Sequence, residues 1–330
     1  MVTRILLIVN RSSGTGCSPS LVGELMDELR QAGGWPEELE LALIDDHPSA
    51  RLAARSFLAA SSRPAALIVG GGGGTLRAAV EGVCDGAAGA LPGARQVRLG
   101  ALRMGSGNVV ARRLGVSVGP VAGMRQLVES LSVGRTMPCG VIRCRFGTAA
   151  GGEDVRHAVT MCGLGQFGRT SGDLARWHRR LAAPRRALAS CIGLERLNNL
   201  EYAASAAARL AATAMHPASA ERVEVALGAR RERFRLMAGA VMNFGIGAIP
   251  FDPGVTMGEP AAGVLLLPRM GRLRTWRLPA GQSLRVTLLD RESVEFFLDE
   301  DPERAYRDIT VEVAGTLAFL PGAVSAEVAA

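Results

Sequence analysis

Five consecutive glycines, Gly70–Gly74, followed by Thr75, stand between an apolar run, Ala65–Val69, and a stretch from Leu76 to Val83 with helical spacing. Glycine inside a strand or helix costs about 0.5–1 kcal/mol relative to alanine, so a run of five needs a reason. At a strand-to-helix turn, glycine lets backbone N–H groups approach an anion beside the positive end of a helix dipole. A tight turn with no ligand is the alternative. The run does not follow the G-x-G-x-x-G pattern on a first strand, which argues against a dinucleotide-binding dehydrogenase.

The same strand–loop–helix order occurs on both sides of this run. Ile5–Val9 reads as a buried parallel strand that ends in Asn10-Arg11-Ser12-Ser13-Gly14. Ser20 to Ala32 carries Leu21, Leu25, Met26 and Leu29 at helical spacing, and Gly33-Gly34 stops it. Leu39–Ile44 reads as a strand and Pro48 to Ala60 as a helix with Ser49 as its cap. Val97–Ala101 is a further strand, followed by Gly105-Ser106-Gly107-Asn108 and a helix through Leu114. This alternation predicts a doubly wound, parallel α/β sheet with phosphate-binding loops at the carboxyl ends of its strands.

The pattern changes after Gly134. Val141–Phe146, Ala158–Cys162, Val223–Leu227, Phe234–Val241, Val264–Leu267, Leu284–Leu289, Val294–Leu298 and Ile309–Val313 read as strands, and only Ser171 to Ala212 reads as helical. Many short strands separated by turns predict an antiparallel, sandwich-like or barrel-like second domain. The expected division is an α/β domain over 1–134 and a β-rich domain over 135–304. A C-terminal segment, 305–330, is expected to return to the first domain.

Charge narrows the chemistry. The 330-residue chain has a net charge of +7 and contains no lysine, so its positive charge is all arginine. A Walker P-loop and a Schiff-base mechanism both need a lysine and are excluded. The basic balance favours anionic partners, either nucleotide phosphates or an acidic membrane surface. Nucleic acid is not expected, because aromatic residues make up 4% and do not interleave with the basic ones. Six cysteines form no C-x-x-C pair, which argues for buried thiols in a reducing cytosol and against zinc. The N-terminal apolar run reads as a strand and not a signal peptide, and no apolar run is long enough to span a bilayer. Arg169 to Arg196 places seven arginines beside Trp177, Leu181 and Leu188. Such a stretch can lie on an anionic bilayer; a solvated helix face is the alternative.

Three loops taken together carry a resemblance. Asn10-Arg11-Ser12-Ser13-Gly14, Gly70–Thr75 and Gly100 through Gly107-Asn108 to Ala111-Arg112-Arg113-Leu114-Gly115 resemble three motifs of the diacylglycerol-kinase and sphingosine-kinase superfamily, to which NAD kinases are related. Those motifs are N-P-x-S-G, G-G-D-G-T and G-x-x-P-x-G-T-x-N-D-x-A-R-x-L-G, in the same order. The resemblance covers roughly the first 120 residues. It implies an ATP-dependent kinase acting on a lipid hydroxyl, with Mg²⁺ bridging the phosphates. Asn10, Ser12, Ser13 and Gly14 would line one side of the ATP. Gly71, Gly72, Gly73, Gly74 and Thr75 would cradle its phosphates, with Ser106 and Asn108 completing the site; a helix cap is the other reading for Asn108.

The departures are specific. The aspartate of G-G-D-G-T is Gly73, the proline of the third motif is Arg103, and the aspartate after its asparagine is Val109. Ile44 stands where the family often has threonine. Near the end, Leu298-Asp299-Glu300-Asp301-Pro302 resembles V-D-G-E-P, which puts Asp301 on the glutamate taken as the general base. An acidic solvated turn is the other reading. Clustered carboxylates there raise one another's pKa, which suits a base working near neutrality. The family's metal-supporting D-G loop falls near Met257-Gly258-Glu259-Pro260, where only Glu259 offers a carboxylate. Gly163-Leu164-Gly165 resembles the family's G-x-G entry to the second domain. The resemblance implies a cytoplasmic protein, peripheral to the inner membrane face, and leaves homodimer formation open. Because of Gly73, the competing expectation is a pseudokinase of the same fold that binds nucleotide or lipid without turnover.

Overall fold

Arg4–Asn10 forms β1, and every residue in it is buried. In a computed structural model of the chain, the described residues are 2–13, 17–31, 36–86, 91–93, 96–105, 107–181, 184, 188–189, 191, 193–246 and 252–322. Gly14 and Ser106 therefore lie outside the described residues. The chain divides into two units: Met1–Cys139 with Thr316–Ala330, and Gly140–Gly315. The first break thus falls five residues beyond the expected one at 134, and the second falls inside a strand.

In the first unit, β1 lies between β2 (Glu38–Ile44) and β3 (Ala65–Gly71), and β3 pairs with β4 (Val97–Arg103), all in parallel. A parallel neighbour requires a crossover, and helices α1 (Pro19–Arg30), α2 (His47–Ala59) and α3 (Gly73–Gly86) supply them. Strands β1 and β3 are continuous apolar runs because both of their faces are covered. Helix α1 buries Val22, Leu25, Met26 and Leu29 on one face, with Val22 in place of the expected Leu21. The cap of α2 differs from expectation: Asp46 accepts a hydrogen bond from the Ser49 N–H at 2.8 Å. An ionised acceptor at that position also meets the helix dipole. A short helix, α4 (Val109–Arg113), and a longer one, α5 (Pro120–Ser132), follow β4.

The second unit begins within β5 (Met137–Gly147), which forms a hairpin with β6 (Glu153–Ala158). Six strands then form a closed circuit of antiparallel pairs. In order round the circuit they are β7 (Met161–Leu164), β9 (Arg230–Met242), β8 (Glu221–Leu227), β12 (Ser283–Leu288), β14 (Asp301–Phe319) and β13 (Ser293–Leu298), which pairs back to β7. The long strands β9 and β14 each serve two neighbours in succession along one edge. Strands β10 (Ala261–Pro268) and β11 (Arg274–Pro279) extend from β9. The enclosed core is built from side chains such as Phe146, Leu164, Val223, Leu236, Phe296 and Val311. Helices α6 (Gly165–Gly168), α7 (Thr170–Arg180) and α8 (Leu194–Met215) complete the unit.

Strand β14 ends in the first unit. Its residues Ala318 and Phe319 pair in parallel with Arg98 and Leu99 of β4. Leu317, Phe319 and Leu320 are buried there, and the Gly322 N–H donates to Leu114 O at 2.7 Å.

Candidate functional site

The carboxyl ends of the adjacent strands β1, β3 and β4 carry the three loops, and side chains tie them together. Asn10 is buried at the end of β1. Its Nδ2 donates to Thr75 Oγ1 at 2.9 Å, which joins the β1 loop to the first turn of α3. Asn10 Oδ1 accepts from the Ser12 N–H at 2.9 Å, and the Ser13 hydroxyl donates to Asn10 O at 2.8 Å. The loop 10–13 is thus wrapped on its own asparagine. Thr75 is 1% exposed, and its hydroxyl oxygen takes up the Asn10 amide. Arg11 is turned to Asp45, just beyond β2. Ile44, in place of the family's threonine, is buried.

Close backbone approach explains the glycines that matter. A Cβ on Gly71 would lie 2.7 Å from the Thr75 side chain. A Cβ on Gly105 would lie 2.2 Å from Gly72 Cα and 3.0 Å from Gly71 O. The loops after β3 and β4 therefore lie backbone against backbone. Helix α3 starts at Gly73, so the N–H groups of Gly73, Gly74 and Thr75 have no carbonyl partner within the helix. They sit at its positive end, and Gly72 and Gly73 are only half-buried. Asn108 is left-handed, φ +48°, and does not cap α4. Its side chain closes the loop before it, accepting from Gly105 N–H at 2.9 Å and donating to Gly105 O at 2.7 Å.

The acidic turn belongs to the second unit. Asp299 and Glu300 form the two-residue connection between β13 and β14, with Leu298 opposite Asp301. Asp299 has φ +58°, the left-handed start that such hairpin turns demand. Its carboxylate is buried and accepts from Val159 N–H (2.9 Å), Thr160 N–H (2.7 Å), the Thr160 hydroxyl (2.6 Å) and Met161 N–H (3.1 Å). Burial pushes this carboxyl's pKa up against those donors. Asp299 is thus a clamp on the chain between β6 and β7. The same clamp divides the single strand expected at Ala158–Cys162, because Val159 and Thr160 spend their N–H groups on a side chain. Glu300, where the family has glycine, is the carboxyl whose pKa is pushed up to about 7, by burial first and then by Asp299 and Asp301. The sequence named Glu300 among three clustered acids that raise one another's pKa, and gave the role of base to Asp301. The Ser171 hydroxyl, at the start of α7, donates to Glu300 O at 2.8 Å and lies 3.0 Å from Tyr202 OH.

Glu259 is engaged locally. Its carboxylate accepts from the Thr256 N–H and hydroxyl, both at 2.9 Å, and pairs with Arg277. Those partners hold its pKa below the usual carboxylate range, the Thr256 N–H foremost. No group of three or more His, Cys, Asp or Glu side chains disposed to hold a metal occurs among the described residues. The three loops therefore offer backbone N–H groups to an anion and no carboxylate of their own to a metal.

The comparisons agree with this geometry. Residues 4–142 match the family model described as the diacylglycerol kinase catalytic domain. A crystal structure of a diacylglycerol kinase from Bacillus anthracis shares the fold with a TM-score of 0.61 at 14% identity, covering 97% of each chain. Two further structures from that organism align with TM-scores of 0.65 and 0.64 at 15% and 16% identity, each over 97% of this chain. No curated protein sequence matches the chain. The resemblance read from the three loops thus holds over the first unit, and the fold it implies extends over almost the whole chain.

Proposed function

We propose that this chain is an ATP-binding lipid kinase of the diacylglycerol-kinase type, with a doubly wound α/β unit that holds the nucleotide. The observation that carries the proposal is the interlocking of three loops at one sheet edge, through the Asn10–Thr75 hydrogen bond and the contact of Gly72 with Gly105. Amides at the start of α3 would meet the phosphates, and catalysis would be mainly positioning and charge stabilisation. The proton of the acceptor hydroxyl is assigned to the β13–β14 turn. Asp301 stands on the family's glutamate, and Glu300 beside it is poised to exchange a proton near neutrality. A second reading, a pseudokinase that binds without turnover, is favoured by Gly73 and by the lack, among the described residues, of a carboxylate cluster disposed to hold a metal.

The acceptor and the membrane contact follow from the same reading. No described helix is long and apolar enough to cross a membrane. Within 169–196, Trp177 and Leu181 are exposed beside Arg179 and Arg180, which supports peripheral contact with an anionic leaflet. Arg169 does not join that face, since its Nη2 donates to buried Glu221 at 3.0 Å. Arg185 and Arg186 lie outside the described residues.

Two measurements test the proposal. Thermal shifts with ATP, ADP and NAD, with and without Mg²⁺, report binding. Transfer of labelled γ-phosphate to diacylglycerol in mixed micelles, by the parent chain and by Gly73→Asp, reports turnover. Transfer by the parent chain sinks the pseudokinase reading; transfer only by Gly73→Asp supports it. A chain that no nucleotide stabilises sinks both.

A further inference from the structure

Residues 10–16, 70–76 and 103–114, which hold the three loops, contain no aspartate or glutamate. Four acidic side chains on the elements that follow β2 and β3 are already engaged. Asp45 pairs with Arg11, and Asp46 accepts the Ser49 N–H that starts α2. On α3, Glu81 meets Arg51 at 2.9 Å and Arg77 at 3.1 Å, and Asp85 meets Arg51 at 2.6 Å. Magnesium at phosphate-transfer sites ordinarily takes one or two carboxylates in addition to phosphate oxygens. The carboxylate that would stand within the glycine loop is Gly73.

The loops do carry cationic charge. Arg103 is the last residue of β4 and is in register with Gly71 of β3, which sets it at the same sheet edge as the glycines. A guanidinium keeps its charge at any working pH and bonds phosphate oxygens in pairs. Replacing an anion at position 73 by no charge, with a cation at position 103, reverses the local sign from repelling a bare polyphosphate to attracting it.

We infer that this site takes the nucleotide as a metal-free polyphosphate anion, held by the amides at the start of α3 and by Arg103. Divalent metal is not needed for binding. The inference rests on the nucleotide reading above and adds the charge state in which the ligand enters.

Isothermal titration calorimetry of ATP into the full chain tests it, in EDTA and again in excess Mg²⁺. The expected dissociation constants agree within about threefold. Tightening of tenfold or more by Mg²⁺ overturns the inference and leaves the nucleotide reading intact, whereas no binding in either buffer removes both. Gly73→Asp is expected to weaken binding in EDTA by at least about tenfold and to recover in Mg²⁺, since the added charge then has a cation to face. Arg103→Gln is expected to weaken binding about tenfold or more in both buffers. Either variant binding like the parent in EDTA overturns the inference. Melting of each ligand-free variant, followed by circular dichroism, separates lost binding from lost folding; if both fail to fold, the parent titration alone decides.

Discussion

Substituting Gly105 by alanine tests the loop geometry directly. The added Cβ would lie 2.2 Å from Gly72 Cα, 2.9 Å from Gly72 N and 3.0 Å from Gly71 O. All three neighbours are backbone atoms, so no side chain can swing aside. Restoring an ordinary carbon–carbon contact of 3.5–4.0 Å requires the two loops to separate by roughly 1.3–1.8 Å. Overpacking of this kind costs about 1–3 kcal/mol. At about 2–4 °C per kcal/mol for a unit of this size, the melting temperature should fall by roughly 2–12 °C. Nucleotide binding should suffer more than stability does, because the displaced loops are the ones proposed to hold the phosphates. Gly72→Ala is the control: its Cβ would lie 3.8 Å from Gly105 Cα, an ordinary contact. Differential scanning calorimetry and an ATP titration on both variants decide the matter. If Gly105→Ala melts and binds like the parent chain, the two loops do not meet as described.

Other outcomes follow from individual contacts. Asn10→Ala removes the tie to Thr75, and a loss of about 1–3 kcal/mol is expected in chemical denaturation, together with weaker ATP binding. Asp299→Ala strips four donors of a buried acceptor, so a loss of at least about 1–3 kcal/mol is expected in the same assay. Glu300 has a folded-state pKa raised from 4.5 to about 7, so its proton is held more tightly by the folded chain. Its contribution to stability is fully present below pH 4.5 and is lost as pH rises through 7. Glu300→Gln should flatten the fall in stability between those limits, by about 3 kcal/mol at most, in urea titrations at several pH values. A slope identical to the parent's would remove Glu300 as its source.

Strands β1 and β3 were legible because each is buried on both faces and ends in asparagine or glycine. Expected Ala65–Val69 became Ala65–Gly71, and expected Val97–Ala101 became Val97–Arg103, each lengthened only at the loop. Helix α5 carried its own signal in Pro120 and in the spacing of Met124, Leu127 and Leu131, and it was passed over for lack of a flanking motif. In the second unit, β11 was missed because RTWRLP alternates charged and apolar residues too briefly to stand out. The break between β6 and β7 was illegible for a different reason. It depends on Asp299, some 140 positions along the chain, and no local pattern can report so distant an acceptor. The loops were found by motif, but Thr75 and Asn108 were expected to face a ligand or cap a helix. Their side chains also hold the loops in shape, and Asn108 does not cap α4, which only coordinates can show.

The last residues of β14 have a consequence for how the polypeptide is made. Until Ala318 and Phe319 emerge from the ribosome, β4 has an open flank, and the greasy positions at Leu317, Phe319 and Leu320 have not yet been translated. The opening third of the nascent polypeptide must therefore wait, incomplete, through synthesis of all that follows. A premature stop near residue 315 would do harm at the other end of the gene product, leaving an aggregation-prone border on a sheet whose other strands were all correctly encoded.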